Sequence, residues 1–117
     1  MSKRLHVLLV EDNPDALEGM LEMTDFLGHH PQGCESAECA LTLLQDKQFD
    51  VLMTDIGLPG ISGLALARQA RQMQPALAIT IASGYACEDE MPPNVRWLMK
   101  PFGIDEYSAM LEEYSRQ

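Results

Sequence analysis

Two kinds of hydrophobic pattern alternate along the chain. Short unbroken runs of apolar and β-branched residues, bounded by polar or turn-forming residues, predict strands that are buried on both faces of a sheet. Between these runs, apolar residues recur every three or four positions, which predicts amphipathic helices. The predicted strands cover residues 5–10, 29–34, 51–54, 77–82 and 95–99.

Capping residues mark the ends of the predicted helices. Asn13 followed by Pro14 is typical of a helix start, and Gly28 is typical of a helix stop. Residues 85–94 are polar and include two prolines, so any helix there is brief. The remaining helices are predicted after Ser36, from Ser62 or Gly63 to just before Pro75, and through Tyr107 to Tyr114.

This alternation of strands and helices predicts an α/β fold. Parallel strands joined by right-handed crossovers place helices on both faces of the sheet. Pro31 puts the weak strand 29–34 at an edge, because proline cannot donate a ladder hydrogen bond. The length of 117 residues predicts a single domain, residues 1–117, with a core large enough to need no disulfide or metal.

The charge of the chain argues against two classes of partner. It has 18 acidic and 8 basic residues, which gives a formal net charge of −10. Nucleic acids and anionic membranes are bound through basic residues, so this domain is expected to bind neither. The apolar run 5–10 is too short for a signal-peptide core or a membrane span.

The cysteines and paired histidines are predicted to have no functional role. Cys34, Cys39 and Cys87 are irregularly spaced and form no Cys-x-x-Cys pair. This usage is typical of a reduced, cytoplasmic protein, and we assign the cysteines no metal or redox role. His29 and His30 begin a weak strand and are predicted to lie on the surface.

Polar residues follow the carboxyl ends of four predicted strands. Glu11 and Asp12 follow the first strand, Asp55 the third, Ser83 the fourth and Lys100 the fifth. Because the carboxyl ends of parallel strands share one edge of the sheet, these side chains are expected to converge there. If the strand order is 2-1-3-4-5, Asp12 and Asp55 face each other where the order reverses.

Converging carboxylates need positive charge, since like charges repel each other more strongly away from water. Mg²⁺ prefers oxygen ligands, so Asp12 and Asp55 with a loop carbonyl such as that of Gly57 form a candidate site. Lys100 adds a second positive charge. A carboxylate in this setting is placed to attack phosphorus, and the Ser83 hydroxyl is placed to donate to a phosphoryl oxygen.

Together these motifs resemble the receiver domain of two-component response regulators. The resemblance spans essentially the whole chain. It implies a flavodoxin-like three-layer sandwich, with a five-stranded parallel sheet in the order 2-1-3-4-5. The matching motifs are Glu11-Asp12, Asp55-Ile56-Gly57-Leu58-Pro59-Gly60-Ile61-Ser62-Gly63, Ser83-Gly84 and Lys100-Pro101-Phe102.

The resemblance also implies a role in signal transduction. A histidine kinase or a histidine phosphotransfer protein would transfer a phosphoryl group to Asp55. Mg²⁺, or alternatively Mn²⁺, would be held by Asp12, Asp55 and the Gly57 carbonyl, with Glu11 acting through water. Such a domain is a phosphoacceptor in a phosphorelay and not an enzyme, because it catalyses at most its own phosphorylation and dephosphorylation.

Further positions take roles from the same resemblance. Lys100 would hold the acyl phosphate, and Ser83 would be the switch hydroxyl. The peptide before Pro101 is usually cis in the family. Trp97 stands where the family usually has a tyrosine or phenylalanine that swings inward. Trp97 either takes that switch role or is a strand residue that packs on the final helix.

Two other functions remain open. A receiver-like docking module would bind partners without being phosphorylated, although such modules have usually lost one of the site residues and none is lost here. A Mg²⁺-dependent phosphatase of the aspartyl-phosphate type would carry an acid two residues after its nucleophile, where Gly57 stands. The sequence fits both a free-standing regulator and a receiver from a longer protein such as a hybrid histidine kinase.

Overall fold

The computed structural model describes residues 4–84 and 94–116. The segment 85–93, where the sequence predicts at most a brief helix, lies outside the described residues. Within the described ranges, no helix has both the length and the apolar composition to cross a membrane. The elements are β1 (His6–Val10), α1 (Pro14–Phe26), β2 (His30–Cys34), α2 (Ala37–Asp46), β3 (Val51–Asp55), α3 (Gly63–Met73), β4 (Ala78–Ser83), β5 (Val95–Met99) and α4 (Ile104–Ser115).

The five strands form one parallel sheet in the order β2-β1-β3-β4-β5, which confirms the predicted fold. β2 lies at an edge, as Pro31 indicates. The strand order reverses beside β1, so the carboxyl ends of β1 and β3 are neighbours, and Val10 pairs with Thr54. Ser83 of β4 pairs with Met99 of β5. The register therefore brings the ends of β1, β3, β4 and β5 to one rim.

Helices cover both faces of the sheet, and each face has its own apolar cluster. One cluster joins Leu8 and Leu52 to buried residues of α2 and α3. The other joins Val7 and Val51 to buried residues of α1 and α4. Successive side chains of a strand point to opposite faces, so β1, β3, β4 and β5 contribute to both faces, whereas β2 adds only Cys34 to the first cluster. The predicted three-layer arrangement is therefore confirmed.

The first three helices begin at the predicted capping residues. Side-chain oxygens of Asn13, Ser36 and Ser62 accept hydrogen bonds of 2.9 to 3.2 Å from backbone amides of the first helical turn. These bonds satisfy amides that have no partner within the helix. Of the two predicted starts for α3, Gly63 is the first helical residue and Ser62 is its cap. Gly28 follows α1 with φ at 89°, a conformation that favours glycine.

His29 is buried, so the prediction that it lies on the surface is wrong. Its side chain is 8% exposed, and its Nδ1 accepts a hydrogen bond of 3.0 Å from the amide of Leu5. The imidazole therefore satisfies a buried amide just before β1. Burial is the main cause of the lowered pKa of His29. His30 is exposed, as predicted, and its ring stacks on that of His6 with the centroids 4.8 Å apart.

Candidate functional site

Three acidic residues meet at the rim where β1 and β3 end. Glu11 and Asp12 follow β1 directly, and Asp55 is the last residue of β3. One carboxylate oxygen from each residue lies within 4.8 Å of the others. Asp12 is exposed, whereas the Asp55 and Glu11 side chains are only 18% and 16% exposed. The acidic cluster is thus partly shielded from water, which strengthens the electrostatic interactions within it.

Lys100 lies against two of these acids. Its Nζ donates a hydrogen bond of 2.7 Å to Asp55 Oδ1 and lies 3.6 Å from Glu11 Oε2. Burial, the largest single influence, acts to lower the pKa of Lys100 because it disfavours the charged form. The hydrogen bond to Asp55 and the charges of Asp55 and Glu11 together outweigh burial, so the pKa is raised. Lys100 is therefore held as a cation at neutral pH.

The acidic cluster suits a hard divalent cation. Among the described residues at this rim, three carboxylates face one ammonium group, which leaves two negative charges uncompensated when all are ionised. Oxygen donors of this kind match the preference of Mg²⁺. The sequence predicts the Gly57 carbonyl as a further ligand. Gly57 is exposed, and its amide donates a hydrogen bond of 3.2 Å to Asp55 Oδ2. The donor chemistry therefore fits Mg²⁺.

Backbone hydrogen bonds hold the rim in place. The amide of Lys100 donates to the carbonyl of Ser83 at 2.7 Å, which joins the ends of β5 and β4. On the other side, the amide of Glu11 donates to the carbonyl of Cys34 at 3.0 Å. The Lys100–Pro101 peptide is cis, as the resemblance implies. The backbones of Lys100 and Glu11 are thus positioned by the sheet.

Gly63 lets α3 start against the backbone of Asp55. A β-carbon at Gly63 would overlap the carbonyl oxygen of Asp55 and lie 2.8 Å from the Cα of Ile56. The amide of Gly63 donates to the carbonyl of Ile56 at 3.0 Å. Any larger residue would have to displace this backbone, so Gly63 sets the path of the loop that leaves Asp55.

Ser83 is buried at the end of β4. Its exposed fraction is 2%. The residue before it, Ala82, pairs with Asp55 on the neighbouring strand, so Ser83 is one position beyond Asp55 in the register. Because side chains alternate along a strand, Ser83 shares a face with Ile81. The backbone of Ser83 reaches the rim, where its carbonyl accepts the amide of Lys100.

Trp97 packs on the side of the sheet that α2 and α3 cover. Trp97 is partly buried and packs against the apolar cluster of α2 and α3, whereas the apolar residues of α4 lie in the cluster on the opposite face. The interpretation of Trp97 as a residue packed on the final helix is therefore wrong. The neighbouring residue Arg96 lies on the α4 side instead, where it forms an ion pair of 2.9 Å with Glu113.

A cavity beside Asp55 has walls that the motifs did not indicate. Its volume is about 580 Å³, and it extends from Asp55 along α1. Much of its lining is apolar and includes Met20, Met23, Met53 and Phe102. The spacing of Met20 and Met23 on one helix face is the sequence signal for this wall. The rim therefore combines a charged cluster with an adjoining apolar surface.

Residues 7–112 match the family of the response regulator receiver domain. The virulence sensor protein BvgS of Bordetella pertussis is 33% identical over 121 residues, which cover 93% of this chain and 10% of BvgS. The response regulator receiver protein CpdR of Brucella abortus is 29% identical over 112 residues, covering 92% of this chain and 93% of CpdR. The chain thus spans a tenth of one relative and nearly all of the other.

A solved structure extends this likeness to the backbone. The crystal structure of the response regulator protein TrrA from Thermotoga maritima, in complex with Mg²⁺-BeF, superposes with a TM-score of 0.87 at 26% identity. The superposition covers 94% of this chain and 98% of TrrA.

Proposed function

The chain belongs to the response regulator receiver domain family of two-component systems, and on this premise we propose that Asp55 accepts a phosphoryl group. One observation carries the proposal. The Asp55 carboxylate has oxygens within 4.8 Å of those of Glu11 and Asp12, and it lies 2.7 Å from the Lys100 amine. An aspartate that only forms a turn does not require neighbouring carboxylates and an ammonium group, whereas an aspartate that attacks phosphorus requires a cation site and a positive charge beside it. We further propose that the whole chain, residues 1–117, is one receiver domain.

The phosphoryl group would come from a phosphohistidine of a histidine kinase or a histidine phosphotransfer protein. An Asp55 oxygen attacks the phosphorus and forms a P–O bond. The P–N bond breaks, and its electron pair stays on the imidazole nitrogen. Lys100 moves from Asp55 Oδ1 to a phosphoryl oxygen and compensates its negative charge. The raised pKa of Lys100 supports this role, because the amine stays charged.

Asp12, Asp55 and the Gly57 carbonyl are the direct ligands that we propose for Mg²⁺, with Glu11 acting through water and Mn²⁺ as an alternative ion. When bound, the ion neutralises and orients the transferring oxygens. The uncompensated charge of the acidic cluster supports this assignment. Without a counter-charge, the carboxylates would repel each other and the incoming phosphoryl group.

Ser83 and Trp97 are the residues that we propose as reporters of phosphorylation. The Ser83 hydroxyl would donate to a phosphoryl oxygen, and Trp97 would move toward the space that Ser83 leaves. The register supports a coupling between them. Trp97 pairs with Ile81, and Ile81 shares its face of the sheet with Ser83.

The chain would act as a signalling phosphoacceptor and would turn over at most its own phosphate. We place it in the cytoplasm and expect it to bind neither nucleic acid nor membranes, because a net charge of −10 disfavours binding to polyanions.

The apolar wall formed by Met20 and Phe102 lies beside Asp55. A partner that covers this wall would exclude water from the transfer step.

Phosphorylation by acetyl phosphate in the presence of Mg²⁺ tests the proposal. The wild type is expected to gain one acid-stable, base-labile phosphate, and Asp55→Asn is expected to gain none while it keeps its circular dichroism spectrum. Trp97 is the single tryptophan, so its fluorescence should change with beryllofluoride and Mg²⁺. A folded wild type that responds to neither reagent would indicate a docking module. Steady turnover of a phosphomonoester would indicate a phosphatase.

A further inference from the structure

Two thiols meet at the edge of the sheet, outside the proposed phosphoacceptor chemistry. Cys34 is the last residue of β2, and Cys39 lies in the first turn of α2. Both are free thiols, and their Sγ atoms are 2.8 Å apart. The S–S bond of a disulfide is about 2.05 Å long, so the two sulfur atoms need to approach by less than about 1 Å to be bonded.

The fold holds the two residues in this position independently of their thiols. The carbonyl of Cys34 accepts the amide of Glu11 at 3.0 Å, which anchors the end of β2 to the central sheet. The amide of Cys39 donates to the cap hydroxyl of Ser36 at 3.1 Å. Between them, Ala37 is fully buried in the core. The short distance between the sulfur atoms is therefore imposed by the packing of β2 and α2.

The two thiols differ in their access to solvent. Cys39 is exposed, whereas Cys34 has an exposed fraction of 3%. Burial, together with the neighbouring Cys39, raises the pKa of Cys34 to about 12. Cys39 is therefore the sulfur that an oxidant in solution reaches, and Cys34 is the sulfur that can resolve the oxidised form. Solvent access and a neighbouring thiol that can resolve the oxidised form are two features of redox-sensitive cysteines.

We propose that Cys34 and Cys39 form a reversible intramolecular disulfide when the protein meets a peroxide. The Cys39 sulfur attacks hydrogen peroxide, the O–O bond breaks, and a sulfenic acid and one water are formed. The Cys34 sulfur then attacks the Cys39 sulfur, the S–O bond breaks, and the S–S bond forms as a second water leaves. Two thiols are oxidised, and one peroxide is reduced to two waters. A dithiol reductant reverses the bond.

The bridge would join the end of β2 to the start of α2, one hydrogen bond away from the acidic cluster. The carbonyl of Cys34 accepts a hydrogen bond from the amide of Glu11, so a disulfide that restrains Cys34 should also restrain that amide. Hydrogen exchange of the Glu11 and Cys39 amides is therefore expected to slow on oxidation. This readout does not depend on phosphorylation, so it tests the thiol pair separately from the function of Asp55.

Peptide mapping of peroxide-treated protein tests the proposal. Trypsin releases Cys34 and Cys39 together on residues 5–47, and Cys87 on residues 72–96. In a Cys87→Ser background, peptide 5–47 should become lighter by two hydrogen atoms and regain its mass with dithiothreitol. The matched control, Cys39→Ser in the same background, should show no such loss.

Several outcomes would overturn the proposal. In the first, Cys87→Ser folds but its peptide 5–47 keeps the reduced mass after peroxide treatment. In the second, that peptide gains only oxygen. In the third, the protein forms only disulfide-linked dimers. If Cys87→Ser does not fold, the wild-type digest decides the question. A bridge within peptide 5–47 would support the pair, and a bridge between peptides 5–47 and 72–96 would contradict it.

Discussion

Lys100 and Asp55 are 45 residues apart in the sequence, yet the Lys100 amine donates a hydrogen bond of 2.7 Å to Asp55 Oδ1. The pair spans from the end of β5 to the end of β3, across the end of β4. The carbonyl of Ser83 holds the backbone of Lys100, which keeps the ammonium group within reach of the acidic cluster. A second cation that enters this cluster therefore lies near a positive charge.

Removing the Lys100 charge should strengthen Mg²⁺ binding while it slows phosphorylation. Two like unit charges about 4 Å apart repel by about 1 kcal/mol even in bulk water, so Lys100→Ala should bind Mg²⁺ at least about fivefold more tightly. Phosphorylation by acetyl phosphate should become slower, because the transferring oxygens lose a counter-charge. Titration calorimetry measures the affinity. Lys100→Arg keeps the charge and should bind Mg²⁺ as the wild type does; equal affinity in Lys100→Ala would contradict the proximity of ion and amine.

Gly63→Ala should destabilise the protein, whereas Gly19→Ala should stabilise it. The new β-carbon at Gly63 meets the backbone of Asp55 and Ile56, which cannot yield without moving the loop. Overpacking of this kind costs about 1–3 kcal/mol. At Gly19, within α1, a β-carbon meets nothing within 4 Å, and alanine should add about 0.5–1 kcal/mol. Urea denaturation of both variants measures the two free energies of unfolding, and equal effects would contradict the close approach at Gly63.

Ionisation of Tyr107 should destabilise the protein in alkaline solution. Its fully buried hydroxyl shares a hydrogen bond of 2.6 Å with Thr24. Burial raises the pKa of Tyr107 from 10.0 to about 12, although the bond to Thr24 acts in the opposite direction. The unfolded chain therefore loses this proton first, and stability falls as pH rises from about 10 to about 12, by roughly 2 kcal/mol.

Tyr107→Phe isolates this contribution. The variant is expected to lose less stability than the wild type over the same alkaline range, because phenylalanine does not ionise. Unfolding free energies of both proteins, measured below and within that range, give the difference. Parallel losses in the two proteins would show that Tyr107 does not control the alkaline limit.

His29 should make stability depend on pH in the mildly acidic range. Burial lowers its pKa below the ordinary value of 6.5, so the unfolded chain takes up the proton first as pH falls. The contribution of neutral His29 to the free energy of unfolding is therefore complete above about pH 6.5 and is lost as pH falls toward the folded-state pKa. In His29→Asn, the side-chain amide oxygen can accept a hydrogen bond from the Leu5 amide, and this side chain does not titrate. Its thermal midpoint should fall less than that of the wild type between about pH 7 and 5; identical slopes would contradict the assignment.

Much of the candidate site was predictable because each residue ends a strand that its own pattern marks. Asp55 closes an apolar run, Glu11 and Asp12 close another, and Lys100 follows a third. Parallel pairing then forces these ends to one rim, and the acidic cluster follows from the strand order. The roles of these residues in phosphoryl transfer stay predictions that the experiments above address.

Other features were not predictable from the pattern. The buried role of His29 arises from the amide of Leu5, 24 residues away. Trp97 packs toward α2 and α3 because of the register of β5 with β4. The contact of Cys34 with Cys39 depends on how β2 and α2 pack, and no motif in the sequence indicates it.

The amino-acid sequence was sufficient for the elements, their caps and the strand-terminal acids, since these depend on interactions within a few residues. Partners distant in the chain, such as His29 and Leu5 or Cys34 and Cys39, were settled by three-dimensional packing. Apolar burial is driven by the area removed from water and not by the identity of the neighbour. A hydrophobic pattern therefore states which side chains are buried, and the register and packing of the sheet determine which groups they meet.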